Sequence, residues 1–467
     1  TQDGVNAYKR QGLVGGKQYN LHRHTWTYQG NQHTAWFLTT TASGYPQQTD
    51  PFWSSYTKDF APMKGGQGGS GTISFRPAGA VNKGFAEIEG VHSDTVFSIG
   101  GSRISRWSSK EIWAHGFWYH AWADLHVKVA SVDSGQKRIT LSEKPGYGLK
   151  TLQPFYLENI PEEITQPGEW YLDRQSGKLY LWPKAPLSAG SEILVSTLEV
   201  PLLKLDGASQ VELRHLSFEA SRGSLVEIAS GADNRLVGCT LRNGGVTAAH
   251  VKGSRNGLER CLIEDMGDGG VVLSGGDRAS LAKGENYLTN SVVRRFGRWI
   301  WTYKPAARLS GCGQRVAHNL MHHAPHSAVL FSGNEHLIEY NEIHHVTQFS
   351  SDAGAIYTGR DWSYRGNQVR YNFIHDLATS FEGDGVQGIY LDDCVAGVKV
   401  FGNVLYRIQH AGIQHGGGRD TIMENNIMAR CGRGMITDSR GIKRINNTPG
   451  SSWNMLERLA KEGIKYK

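Results

Sequence analysis

The stretches that decide the fold are GAIYTGRDWSYRGNQVRYNFI (354–374) and GIYLDDCVAGVKVFGNVL (388–405). Each reads as a short apolar strand, a polar turn, and a second short strand with an asparagine near its middle. The same frame returns as LLKLDGASQVELRHLSF (202–218), LVEIASGADNRLVGCTL (225–241), AAHVKGSRNGLERCLI (248–263) and AVLFSGNEHLIEYNEI (328–343). It recurs again in GIQHGGGRDTIMENNIM (412–428) and GMITDSRGIKRINN (434–447). The period is roughly 21 to 26 residues, longer where loops are inserted, and repeats of that size signal solenoids or propellers. Four blade strands do not fit in so short a unit, and the helical 3.6-residue period of a leucine-rich horseshoe is absent. The frame therefore predicts an all-β chain whose main body is a parallel β-helix.

Asn290, Asn319, Asn341, Asn372, Asn403, Asn426 and Asn446 fall at one place in the frame, and Cys239 and Cys261 fill it in earlier coils. Asparagines stacked at one turn bond to each other and to the turn backbone, which satisfies buried polar groups along a solenoid. The two cysteines are compatible with free thiols or with a disulfide. Alternation along strands then assigns faces. Ala249 and Val251 point in, as do Ile389, Leu391 and His415. His250, Lys252, Arg308, Ile356, Thr358, Tyr390, Asp392, Gln414 and Asp438 point out. A polar stripe on a solenoid suits an extended or branched polymer end.

The 467-residue chain carries 58 glycines, 20% charged residues and a net charge of +7. That profile suits many turns and short strands. No Lys/Arg block is present, so nucleic acid is not an expected partner, whereas an acidic glycan is compatible with the charge. No apolar run is long enough to predict a membrane span. The 13 tryptophans and 19 tyrosines can pack cores or offer flat faces to sugar rings. The chain starts at Thr1 without Met, as a processed or trimmed product does, and a secreted or periplasmic location is expected. A monomer or weak homo-oligomer is the expected state.

Residues 1–74 are predicted to hold a cap and the first coils. Residues 75–197 lack the coil repeat and read as an inserted small β-barrel or sandwich, with DRQSGKLYLW (173–182) as a hairpin signal. Residues 198–467 form the main β-helix and its groove.

GIYLDD ends a buried strand in two adjacent carboxylates. Asp393 takes the place of a turn glycine and Asp392 the outward slot beside it. Paired carboxylates repel, and partial burial raises one pKa, which separates a proton donor from a base or nucleophile. Asp352, in SSDAGAIY on the previous coil, is the expected partner of Asp392 or Asp393. Inserted loops on the same coils supply Arg360, Trp362, Tyr364, Glu382 and Asp384, with Glu382 as a reserve acid. Arg308, His326, Arg360, Trp362, Glu382, Tyr390, Gln414 and His415 are the expected substrate contacts. In HHAPH, His322, His323 and His326 have metal-like spacing but no obvious third ligand, so no metal and no cofactor are expected.

DAGAIYTGRDWSYRGNQVRYNFIHD (352–376), GIYLDDCVAGVKVFGNVLYR (388–407) and GGGRDTIMENNIM (416–428) resemble right-handed parallel β-helix proteins of bacterial glycan degradation. The nearest resemblance is to glycoside hydrolase family 141, whose members include an α-L-fucosidase and a xylanase. Family 120 β-xylosidases and family 110 α-galactosidases are more distantly similar. PGEWYLDRQSGKLYLWP (167–183) also occurs in that group, some members of which carry an early inserted barrel. The tail WNMLERLAKEGIKYK resembles an end region that usually continues further. The resemblance implies a glycoside hydrolase using two acids, with one role on Asp352 and the other on Asp392 or Asp393. A polysaccharide lyase using Lys252 and Arg308 on a uronate, and a non-catalytic glycan-binding β-helix, are the alternatives.

Overall fold

The structure, a computed structural model, describes residues 8–14, 17–28, 31–39, 85–108, 111–188, 190–191, 193–381, 383–440 and 457. The chain divides into two compact units, Thr1–Ser70 and Gly71–Lys467. In the first, strands Tyr8–Val14, Lys17–Tyr28 and Asn31–Thr39 pair as an antiparallel meander. Antiparallel pairing is not the parallel ladder of a β-helix, so these strands are not the first coils expected for residues 1–74. The remainder of that segment lies outside the described residues.

The second unit begins with a closed six-stranded barrel between Ala86 and Glu158. Its interior is an apolar plug in which Ile88, Phe97, Ala114, Val127, Ile139 and Phe155 are fully buried. The expected hairpin follows, with Trp170–Asp173 antiparallel to Lys178–Leu181. Among the described residues no coil precedes the barrel, so it leads into the solenoid.

From Leu203 to Asp438 the chain winds through three parallel sheets of ten, nine and nine strands. Each complete coil gives one strand to each sheet, one more than the two-strand frame shows in sequence. The second and third strands are only three residues long in most coils and join through two-residue corners. Each such strand places one side chain inside. Leu213, Leu236, Leu258, Leu288, Val316, Ile338, Val369 and Val400 stack in register as one such column. Burying each aliphatic side chain contributes about 1.5–3 kcal/mol, repeated coil after coil. This is the core of a parallel β-helix.

The side-chain ladder runs through Asn319, Asn341, Asn372, Asn403 and Asn426, each amide donating to the next carbonyl oxygen at 2.9 or 3.0 Å. Ser291, rather than Asn290, holds the slot before Asn319. Asn290 sits one residue earlier with φ 51°, a corner residue. Asn446 lies outside the described residues. Cys239 and Cys261 continue the column as free thiols. A second ladder, which the frame does not reveal, links Asn234, Asn256, Asn286, Gln314, His336 and Asn367 at the first corner.

The barrel docks on the coils through a buried polar anchor. Asp124 accepts hydrogen bonds from the Trp301 and Thr302 amides at 2.8 and 2.9 Å, and from the Thr302 hydroxyl. Its other partner is His115 Nε2, at 2.6 Å. Around this anchor, Phe85, Phe117, Tyr156 and Trp301 pack with Phe349 and Phe381.

Candidate active site

A cavity of about 950 Å³ opens at the outer face of the first sheet, where the strands Ala353–Gly359, Val386–Asp392, Ala411–Gly416 and Arg433–Asp438 lie side by side. It is at the large end of the roughly 300–1,000 Å³ usual for small-ligand sites. Register pairs Ile356 with Ile389 and Ile413, all inside the core, and Tyr357 with Tyr390 and Gln414, all facing the cavity. The expectation that Ile356 and Thr358 face outward is therefore one residue out of phase. AGAIYTG contains two glycines and two alanines, which leave little apolar–polar alternation to count, and the one polar residue, Thr358, is buried.

Two tyrosines arrange the acids. Tyr390 Oη donates to Asp352 Oδ1 at 3.0 Å, and Tyr357 Oη donates to Asp392 Oδ2 at 3.0 Å. Their rings meet edge to face at 5.4 Å. In register Asp352 lies beside Gly385 and Asp392 beside Gly359, at opposite ends of the paired strands. The long tyrosine side chains bridge that offset. Asp352, Arg360 and Asp393 all have left-handed φ values, of 53°, 66° and 40°. Left-handed corners of this kind recur in nearly every coil, as at Arg260, Asn290, His318 and Tyr340, so they are a device of the solenoid that here sets the direction of these three side chains.

The doublet divides into two environments. Asp393 is clamped between two cations, with Arg360 Nε on Oδ2 at 2.8 Å and Arg440 Nη1 on Oδ1 at 3.2 Å. Asp392 Oδ1 accepts from Arg440 Nη1 at 2.9 Å and from the Asp393 amide at 2.8 Å. Arg440 is itself held by Asp438 at 2.7 Å. A Cβ at Gly416 would stand 3.1 Å from the Arg440 guanidinium carbon, so the bare glycine lets this arginine reach the doublet.

Burial and the neighbouring Asp393 charge push the Asp392 carboxyl up to about 6, against the pull of Tyr357, and Asp352 adds to the rise. Burial also raises Asp352, which the Tyr390 hydrogen bond opposes and Asp384 reinforces. Asp438 moves the other way: burial alone would raise it, but the hydrogen bonds from Arg440 outweigh that and lower it. Burial raises the Tyr303, Tyr357 and Tyr390 phenols, so all three stay protonated donors at neutral pH.

Of the residues expected at the site, Asp352, Asp392, Asp393, Arg360, Tyr390 and Gln414 line this cavity, as do the loop residue Asp384 and the strand residue Asp438. Four expected contacts lie elsewhere. Arg308 points out but turns its guanidinium to the carbonyl of Tyr303. His326 is buried beneath the Tyr303 ring, 4.9 Å away between centroids. Trp362 sits half-buried in a turn that Asp361 organises through Ser363. His415 follows Gln414 and so faces the other side of the sheet. Glu382 lies outside the described residues.

Sequence reasoning missed Tyr357, Tyr303, His410, Arg433 and Arg440, and also Trp122 and Tyr147 from the barrel. Aligning the shared Ile-Tyr of AIYTG and GIYLD, rather than their glycines, would have found Tyr357. Nothing local marks Trp122 or Tyr147, because they reach the cavity only through the docking of the barrel. Their rings pack edge to face at 5.0 Å, with His120 stacked on Trp122.

No protein-family model and no curated protein matches the chain. Among solved structures, one titled "Glycoside hydrolase" superimposes with a TM-score of 0.64 at 15% identity, over 77% of this chain and 76% of that one. The catalytic domain of a GH87 alpha-1,3-glucanase in complex with nigerose is matched at 9% identity over 77% of this chain and 76% of that chain. Its TM-score of 0.28 is too low to bear on the architecture. At these identities the first of these shows a shared fold, that of a parallel β-helix, and leaves the chemistry to the residues of the cavity.

Proposed function

We propose that this chain is a glycoside hydrolase acting on an oligosaccharide or polysaccharide end. The observation that carries the reading is the pair of raised, tyrosine-bridged carboxyls, Asp352 and Asp392, facing one cavity from adjacent coils. Asp392, whose proton persists to about pH 6, protonates the leaving glycosidic oxygen. Asp352 acts as the base that activates water or as the nucleophile at the anomeric carbon. Asp393 is a positioning residue: bound by Arg360 and Arg440, it stands beside Asp392, where its charge helps the donor hold its proton. Trp122 and Tyr147 offer apolar faces to sugar rings, while Gln414, His410 and Arg433 offer polar contacts to hydroxyls or acidic groups. The motif resemblance to family 141 supports the same class.

A lyase is disfavoured on chemistry. Its base would have to be a tyrosine or lysine with a lowered pKa, and burial shifts Tyr303, Tyr357 and Tyr390 upward instead.

The test is a screen of aryl glycosides and plant or algal polysaccharides, read by product chromatography. Asp352→Asn and Asp392→Asn should each lower kcat about 100- to 10,000-fold. Azide should restore turnover to Asp352→Asn. Asp392→Asn should retain activity on a glycoside with a dinitrophenyl leaving group, which needs no proton. Full activity in both variants on every cleaved substrate, or an unsaturated uronate as product, would refute the assignment.

A further inference from the structure

On the outer side of the third sheet the coils bring together a cluster of histidines that takes no part in the acidic cavity. Strands Leu320–His322 and Glu342–His344 pair in register, placing His322 beside His344. The corner residues that follow, His323 and His345, have φ values of 58° and 50°. This left-handed turn folds each ring back on its neighbour. His322 Nδ1 lies 2.5 Å from His323 Nδ1, and His344 Nδ1 lies 2.7 Å from His345 Nδ1. The His322 and His344 rings stack at 4.8 Å, and those of His323 and His345 at 5.1 Å.

We propose that His322, His323 and His344 hold a single divalent transition-metal ion of the zinc, nickel or cobalt class. One ligand nitrogen from each of the three lies within 4.8 Å of the others. Two imidazole lone pairs aimed at each other repel unless a proton or a cation lies between them. Metal–nitrogen bonds of about 2.0–2.1 Å in a tetrahedron place donor atoms about 3.3 Å apart, between the 2.5 Å of the His322–His323 pair and the 4.8 Å that bounds the set, so the ion would draw the rings to a common spacing. An all-imidazole donor set favours zinc, nickel, copper or cobalt over magnesium or calcium. His323 is exposed, which leaves the fourth position open to water. HHAPH shows only two of these ligands in sequence. The third comes from the next coil, and His326, which sits under Tyr303, is not part of the set. The ion joins two adjacent coils, so it acts as a clasp along the solenoid.

The full chain, stripped with chelator and desalted, is titrated with Zn²⁺ by calorimetry and with Co²⁺ by visible absorption. One equivalent should bind at micromolar concentration or tighter, Co²⁺ should give the intense bands of a tetrahedral site, and Zn²⁺ should raise Tm by about 2 °C or more. His323→Ala, which removes an exposed ring, and His323→Ala with His344→Ala should abolish that equivalent and the Tm shift. If Zn²⁺ binds His323→Ala as tightly as the parent protein, or if the parent binds it only at millimolar concentration, the metal site does not exist and the rings are a packed ladder.

Discussion

Asp392 concentrates the tension of the site. Its carboxyl is held at about 6 in the fold against a reference of 3.8, so the ionised form is disfavoured by folding. A raised folded pKa means that this group's contribution to stability is complete below the unfolded value and is lost as pH rises through about 6. Asp392→Asn removes the penalty without changing shape. The variant should match the parent in urea unfolding at pH 4 and exceed it by about 1–3 kcal/mol at pH 8. Equal pH dependence in both proteins would show that Asp392 ionises freely. The tyrosine bridges supply a kinetic counterpart. Tyr357 donates to the Asp392 carboxylate and lowers its pKa. Tyr357→Phe should therefore move the alkaline limb of kcat upward by a fraction of a pH unit or more. Tyr390→Phe removes the hydrogen bond that lowers Asp352 and should move the acidic limb upward instead. A pH–rate profile for each variant checks both directions, and a shift of the same limb in both would contradict the division of roles.

Within the coil, the elements are stapled by side-chain amides, and their slot can be tested. Asn372 donates to the Ile338 carbonyl and to Asn403, and its own carbonyl accepts the Asn341 amide. Asn372→Ala orphans a buried donor and a buried acceptor, at about 1–3 kcal/mol for each group left unpaired. Asn290→Ala alters only a left-handed corner residue and should cost about 1–2 kcal/mol. Thermal unfolding should rank Asn372→Ala clearly below Asn290→Ala, and the reverse order would move the ladder to the other slot. The same contrast explains what was legible. The repeat, the parallel stacking and most of the Asn column follow from sequence because each coil restates them. Asn290 was misplaced because it neighbours Ser291, which does the same work with a hydroxyl. The phase of AGAIYTG was lost because its small residues fit either face. The third strand of each coil was invisible because its two-residue corner carries no glycine or proline in most coils, Gly238 and Gly402 being the exceptions.

At the scale of the molecule, the cavity exists because two folds meet. The solenoid supplies the acids and the barrel supplies Trp122 and Tyr147, joined through Asp124. The Asp352 and doublet positions could be read from repeating coils; Arg440, two residues past the last strand of the same sheet, carries no local mark, and the barrel aromatics reach the cavity only through docking. That division separates two kinds of failure. Trp122 brings an aromatic face and no charge to the cavity, so Trp122→Ala should raise KM about 5- to 30-fold, the equivalent of one or two kcal/mol of stacking, with kcat and Tm nearly unchanged. Asp124→Ala strips a buried anchor from His115, Trp301 and Thr302. It should cost about 3–5 kcal/mol of stability and raise KM as well, because Tyr303 follows the released segment. Burial opposes ionisation of Asp124, but its hydrogen bonds from His115 and Thr302 prevail and hold the carboxyl well below the usual range. Its stabilisation is therefore present above the ordinary aspartate pKa and is lost only as pH falls through the depressed folded value, so the Asp124→Ala defect should be full at pH 7. If Asp124→Ala unfolds earlier yet binds substrate with parental KM, the barrel is a cap on the solenoid and no wall of its cavity.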